Sequence, residues 1–336
     1  MNFDSARSTP HTPHGSSDDP DVIDFSANTN PNVPAGTEAA YREGFPAARR
    51  YPEEPPSPFR AAAADYVDCD TESVIPTPGG LAAIRLTIDL AVEPGDSVAV
   101  PAPSFGEYAR EVRLQGGEPR FVAQANIIDV DPADHALVIA CNPNNPTGNA
   151  YEDQALRRLA GRCRDAGTPL LVDEAFLGFT DRPSLAGTPG VVVARALTKL
   201  FGLPGIRTGF AVAVGEWNEA LANARRTWNL GAPSLATGTY CMQQDEFVQA
   251  TRERVHTERG RLHDRLSARY AVHDSAAPFL LLDVGETAAV DDLLERCLDA
   301  GIAIRDARTF RGLDSHVRVA VRERAENDRL LEVLCP

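Results

Sequence analysis

Lysine is almost missing from this sequence. Of 33 basic side chains in 336 residues only Lys199 is an amine; every other cation is an arginine. Positive charge is also in deficit, because 48 acidic residues leave a formal charge of −15. A surface this acidic repels phosphate backbones and anionic headgroups, which argues against nucleic-acid partners and against docking on an anionic membrane. Lysine depletion with acidic excess is what a salt-adapted or GC-rich source would select, since carboxylates keep a surface hydrated in salt. Long apolar runs are lacking too, and none approaches the roughly 18 to 20 residues that cross a bilayer. The polar opening MNFDSARSTPHTPHGSSDDP has no signal-peptide core, so a cytoplasmic protein is expected. The six cysteines, Cys69, Cys141, Cys163, Cys241, Cys297 and Cys335, include no C-x-x-C pair. Neither a zinc knuckle nor a disulfide framework is suggested, and reduced, buried fillers are expected. No G-x-G-x-x-G appears, which counts against a dinucleotide enzyme.

What is present is apolar material, 43% of the chain, enough for one large core or two modest ones, and the length favours two domains. Residues 1–20, rich in Ser, Thr, Pro, His and Asp, are expected to form a flexible segment. Apolar runs bounded by turn residues then recur: SVAVPAP from Ser97, ALVIACNP from Ala136, PLLVDEA from Pro169, VVVARAL from Val191 and GFAVAV from Gly209. Runs apolar at consecutive positions predict strands covered on both faces. Helical patterns lie between them, such as Tyr151 to Ala166 with its stripe of Ala155, Leu156, Leu159, Ala160 and Cys163. The alternation predicts a doubly wound α/β domain over residues 51–255. A long polar helical stretch from about Leu235 to Ala268 leads to a small α+β domain, 256–336, which the extended segment Val22 to Arg50 joins, so that 21–50 belongs with it.

In open α/β sheets ligands bind beyond the carboxyl ends of strands, and four segments lie there. PTPGGLAAIRLTI opens a helix whose free N–H groups at Gly80 and Leu81 are suited to a phosphate, although such a turn is more often a plain connection. CNPNNPTGN is a rigid turn cluster able to present the amide of Asn145. Asp173 and Glu174 end the strand LLVDEA, either as a helix cap or as an anion awaiting a cation. The fourth segment, ARALTKLFGLPGIRTGF, carries Lys199 in the loop after an apolar strand and Arg207 eight residues on.

In order and spacing these segments resemble the fold-type I, aspartate-aminotransferase-like enzymes that use pyridoxal 5′-phosphate (PLP). The resemblance runs from about Asp24 to the C-terminus. It implies a large domain with a mostly parallel mixed sheet flanked by helices, and a small α+β C-terminal domain. Lys199 would be the catalytic lysine to which PLP is attached, made nucleophilic by losing its charge when partly desolvated. Asp173 would hold the pyridine nitrogen, Asn145 the phenolic oxygen, and Phe105 the ring face. The amides of Gly80 and Leu81, with Thr198 and Arg207, would hold the cofactor phosphate. Tyr51 would reach that phosphate from a second subunit, which implies a homodimer with shared active sites. Arg318, which alone would read as an outward strand arginine, matches the arginine that binds a substrate carboxylate. Two positions depart from the common pattern: Phe176 replaces a tyrosine and Ala196 a hydroxyl residue, leaving more to Arg207.

Within that superfamily DFSANTNP from Asp24, the pair His14 and Gly15, DEAF, and the run from Gly301 to Leu331 look like the L-threonine-O-3-phosphate decarboxylases of cobalamin synthesis. The resemblance implies a phosphorylated amino acid as substrate and an N-terminus folded over the site with His14 and Asn28 near the substrate phosphate; two anions entering so acidic a protein also call for local arginines, Arg318 and Arg207 with Arg305 or Arg322. A histidinol-phosphate-type aminotransferase shares every cofactor residue and is the first alternative. A non-catalytic PLP-binding protein is the second.

Overall fold

The computed structural model describes residues 3–12, 15–17 and 19–335. The chain begins with α1 (Phe3–Ser8), β1 (Ile23–Asp24), α2 (Thr37–Gly44) and α3 (Ser57–Val67). A large unit follows: β2 (Val74–Thr77), α4 (Gly80–Ala91), β3 (Ser97–Ala102), α5 (Glu107–Gln115), β4 (Glu118–Ala123), β5 (Leu137–Cys141) and α6 (Asp153–Ala166). It continues with β6 (Leu170–Asp173), β7 (Val191–Ala196), β8 (Gly209–Val212) and α7 (Glu216–Ala224). Helices α8 (Ala232–Met242) and α9 (Asp245–Leu266) lead to β9 (Ala271–Val272), β10 (Phe279–Asp283) and α10 (Thr287–Asp299). The chain closes with β11 (Ile302–Ala303), β12 (Arg305–Asp306), β13 (His316–Ala320) and α11 (Arg324–Leu334).

The apolar runs seen in the sequence form one seven-stranded sheet of order β2-β8-β7-β6-β5-β3-β4. Its pairs are parallel except for β2 with β8 and β7 with β8. Helices cover both faces, so β5 and β6 bury consecutive side chains, Leu137 to Ala140 and Leu170 to Val172, each 0% exposed. Burial of this kind is worth about 1.5 to 3 kcal/mol per Val, Leu or Ile. The apolar stripe of α6 is buried as a set, and the helix stops where Gly167 turns left-handed at φ 72°. The second sheet, β12-β13-β10-β9, is antiparallel, and β1 pairs in parallel with β11. Among the described residues, no helix is long and apolar enough to cross a membrane.

Several local expectations need correction. Val22 to Arg50 is not extended throughout, because α2 and a short 3-10 turn at Pro46–Arg49 occupy its second half. The stretch from Leu235 to Ala268 is helical as expected, in two helices parted at Gln243 and Gln244. AIRDARTF splits between two sheets and then a 3-10 turn, since β11 pairs with β1 while β12 pairs with β13. Only four of the six cysteines are buried; Cys69 and Cys335 are half-exposed. Apart from these corrections, the described N-terminal residues touch both units: Arg110 Nε donates to the Pro10 carbonyl at 3.1 Å, and the Ser17 N–H to the Asp24 carboxylate on β1 at 3.2 Å.

Candidate active site

A cavity of about 690 Å³ opens where the carboxyl ends of β3, β5, β6 and β7 face β12 and β13. One end is built on the large sheet. Asp173, the last residue of β6, is buried, and burial raises its carboxyl above the usual carboxylate range. Two donors act the other way: the Tyr108 hydroxyl donates to Oδ2 at 2.6 Å and the Ala175 N–H to Oδ1 at 2.9 Å. Tyr108 went unread in the sequence, yet it lies one helical turn beyond Phe105, whose ring meets it edge-on at 5.6 Å. Phe105, Ala175 and Phe176 supply apolar wall, and Phe176 is fixed edge-on against Phe279 at 5.1 Å.

Lys199 follows β7 and lines the same cavity. Burial, then the nearby Arg318 and Arg207 cations, lower its amine from 10.5 to about 8, against the pull of Asp173. Its carbonyl accepts from the Asn30 N–H at 2.9 Å, so the DFSANTN segment holds the lysine loop in place. Thr198 and Arg207 line the cavity next to it. Gly80 and Leu81 start α4 behind Arg207, where helix-end N–H groups are left without intrahelical partners. The cap residue Gly79 has φ +89°, and a Cβ there would come within 2.8 Å of Arg207 Nη2. Glycine is therefore required both by the backbone and by the closeness of the guanidinium.

The other end is built on the small sheet. Arg318 on β13 is buried; it donates from Nη1 to Asn145 Oδ1 and from Nη2 to the Ser26 carbonyl at 2.9 Å. Burial, then Arg305, lower its guanidinium to about 9. Arg305 on β12 is the cross-strand partner of Arg318, and both guanidiniums lie over the Phe310 ring, at 5.5 and 5.6 Å. Arg305 also donates to Thr309 Oγ1 at 2.8 Å. Arg322 lines the cavity, donating to the Asp24 carbonyl at 3.0 Å and to Glu326 at 2.9 Å. Asn28 lines it as well, and its buried Oδ1 has no hydrogen-bond partner among the described residues. Thr12, Gly15, Ser16 and Ser17 bring the N-terminal segment onto the same cavity. A Cβ at Gly15 would come within 2.6 Å of the Arg305 stem.

Of the residues singled out in the sequence, the cavity thus gathers Lys199, Asp173, Asn145, Phe105, Thr198, Arg207, Asn28, Arg305 and Arg318. Gly80 and Leu81 adjoin it through Gly79. Tyr51 stands apart: it is 77% exposed and stacks on Trp228 at 4.3 Å. His14 lies outside the described residues.

A lysine past one strand end, a buried carboxylate at the next and an arginine beside a helix N-terminus define a fold-type I PLP-dependent enzyme. The chain belongs to the aminotransferase class I and II family, whose model matches residues 20–334. It is 31% identical to threonine-phosphate decarboxylase of Salmonella typhimurium over 93% of this chain and 90% of that protein. It is equally 31% identical to histidinol-phosphate aminotransferase of Halobacterium salinarum, over 94% and 91%. The crystal structure of L-threonine-O-3-phosphate decarboxylase from Porphyromonas gingivalis superposes with a TM-score of 0.82 at 25% identity, covering 93% of this chain and 98% of that one. The cofactor is PLP, and the residues present fit it: an amine, an anion for a protonated ring nitrogen, an aromatic face, and a glycine-lined cradle holding Arg207.

Proposed function

We propose that the chain decarboxylates L-threonine O-3-phosphate to (R)-1-amino-2-propanol O-2-phosphate. The observation that carries this reading is the register pairing of Arg305 with Arg318. Like charges directly opposite on neighbouring strands repel, so the arrangement costs stability unless anions offset it. A substrate bearing a carboxylate and a phosphate on adjacent carbons supplies two anions at that spacing. Histidinol phosphate carries only one anionic group, and the 2-oxoglutarate that partners it in transamination carries two carboxylates spaced further apart along its chain.

When bound, PLP supplies a protonated ring that takes up the electron pair of the breaking bond. Asp173 holds the ring-nitrogen proton. Lys199 would hold the cofactor through Nζ as a neutral amine, and in its ammonium form the same Nζ would hold the proton that Cα receives. Arg318 would bind the substrate carboxylate and fix its orientation, and so select which bond to Cα can break. Arg305, Asn28 and the Ser16 to Ser17 segment face the substrate phosphate and exclude water. Tyr51, exposed with Trp228 and with Phe45 (66%), supports a homodimer in which it reaches the neighbouring cofactor phosphate.

The histidinol-phosphate-type aminotransferase is the second reading, favoured by relatives of that name at the same identity. Incubation with threonine phosphate, reading carbon dioxide, is set against incubation with histidinol phosphate and 2-oxoglutarate, reading glutamate. Carbon dioxide release is expected; glutamate formation without it would overturn the proposal.

A further inference from the structure

The Tyr108 hydroxyl is a buried polar group with no place in the chemistry above. Its ring is 0% exposed on α5, and its hydroxyl donates to Asp173 Oδ2 at 2.6 Å, while Oδ1 accepts from the Ala175 N–H. Asp173 is faced by Tyr108 from α5, Cys141 from β5, Lys199 from the loop after β7, and Glu174 beside it in sequence. Glu174 is engaged by Arg195, Nε to Oε2 at 2.9 Å. Burial holds both the Cys141 thiol and the Tyr108 phenol in their neutral forms, and the Asp173 charge adds to this. Tyr108 is therefore a fixed neutral donor, able to stabilise an anion but not to supply one.

We propose that Tyr108 is a positioning residue: by donating to Oδ2 it keeps Asp173 ionised and fixed in rotamer, so that the carboxylate's remaining lone pairs face the ring nitrogen of PLP. A hydrogen bond to the charged form favours that form, and its loss in a buried site leaves an oxygen unsatisfied. Without the phenol, Asp173 takes up a proton at higher pH and then no longer pairs with a protonated ring. The inference rests on Asp173 facing the ring nitrogen and is independent of the choice between decarboxylation and transamination.

The test is the dissociation constant of PLP from the apoprotein, measured by absorbance across the acid range. It compares the wild-type chain with Tyr108→Phe, and PLP with its deaza analogue, in which C–H replaces the ring nitrogen. In the wild type, PLP affinity falls as Asp173 is protonated. In Tyr108→Phe that fall begins about one pH unit higher, the shift that corresponds to one hydrogen bond to a charged group. The deaza analogue shows no such displacement between the two proteins. Site-specific fluorotyrosine at position 108 keeps the hydroxyl and the fold while strengthening the donor, and moves the fall to lower pH. Equal midpoints in wild type and variants, or the same displacement with the deaza analogue, would overturn the role of Tyr108. Identical acid profiles for PLP and the analogue in the wild type would overturn the placement of Asp173 as well.

Discussion

The two ends of the cavity are organised in opposite ways. At the large-sheet end the central charge is satisfied, since both oxygens of Asp173 accept hydrogen bonds from neighbours in the fold. At the small-sheet end Arg318 is buried with only neutral oxygens as hydrogen-bond acceptors, and its Nε has no partner among the described residues. Arg305 stands across the strand from it. A satisfied network is rigid and suits a resident cofactor; a buried arginine beside a second one suits an anionic ligand that comes and goes. The difference teaches that stability is concentrated at one end and given up at the other.

The largest expected effect tests the first end. Lys199→Ala should lower turnover of threonine phosphate by about a thousandfold or more and abolish borohydride-fixed cofactor in the intact protein. At the second end, Arg318→Leu should lower kcat/KM about a hundredfold, the loss of a two-point charged contact. Arg305→Leu should weaken turnover about tenfold while raising the stability of the cofactor-free chain by about 0.5 kcal/mol, read by denaturant titration, because it relieves like-charge repulsion. Loss of stability in that variant would break the comparison.

The ends also communicate through charge, because Arg318 helps lower the Lys199 amine to about 8. The rate at which PLP attaches should rise with pH through about 8, and in Arg318→Leu the rise should move to higher pH. The sign for stability follows: the unfolded chain binds the lysine proton more tightly than the folded one. The cofactor-free protein should therefore melt higher as pH climbs from about 8 towards 10.5, and this contribution is lost as pH falls through about 8. The smallest effect concerns the join between the units, where the Arg311 guanidinium lies 3.9 Å from the centre of the Phe121 ring on β4. Arg311→Ala should cost about 0.5 to 1 kcal/mol, seen as a small drop in Tm.

The strands of the large sheet were legible because a strand covered on both faces has to be apolar at every position. Lys199 and Asp173 were legible because polar residues that directly follow such strands lie where ligands bind. The pairing of Arg305 with Arg318 was not, since register depends on how the chain between Asp306 and His316 turns, and no local pattern fixes that. Tyr108 was hidden for a different reason: it lies between Glu107 and Arg110 in an ordinary-looking amphipathic helix. Its only available signal was its spacing of three from Phe105. The helix Thr37–Gly44 was overlooked because its N-terminus follows a left-handed Gly36 and carries no side-chain cap.

Lys199 also sets how the protein can be counted. A polypeptide with one side-chain amine cannot accumulate stray imine adducts along its surface, as lysine-rich proteins do in excess aldehyde. Yellow colour per mole of chain should therefore report the fraction of working sites once a single other amine, the α-amino group, is blocked or subtracted.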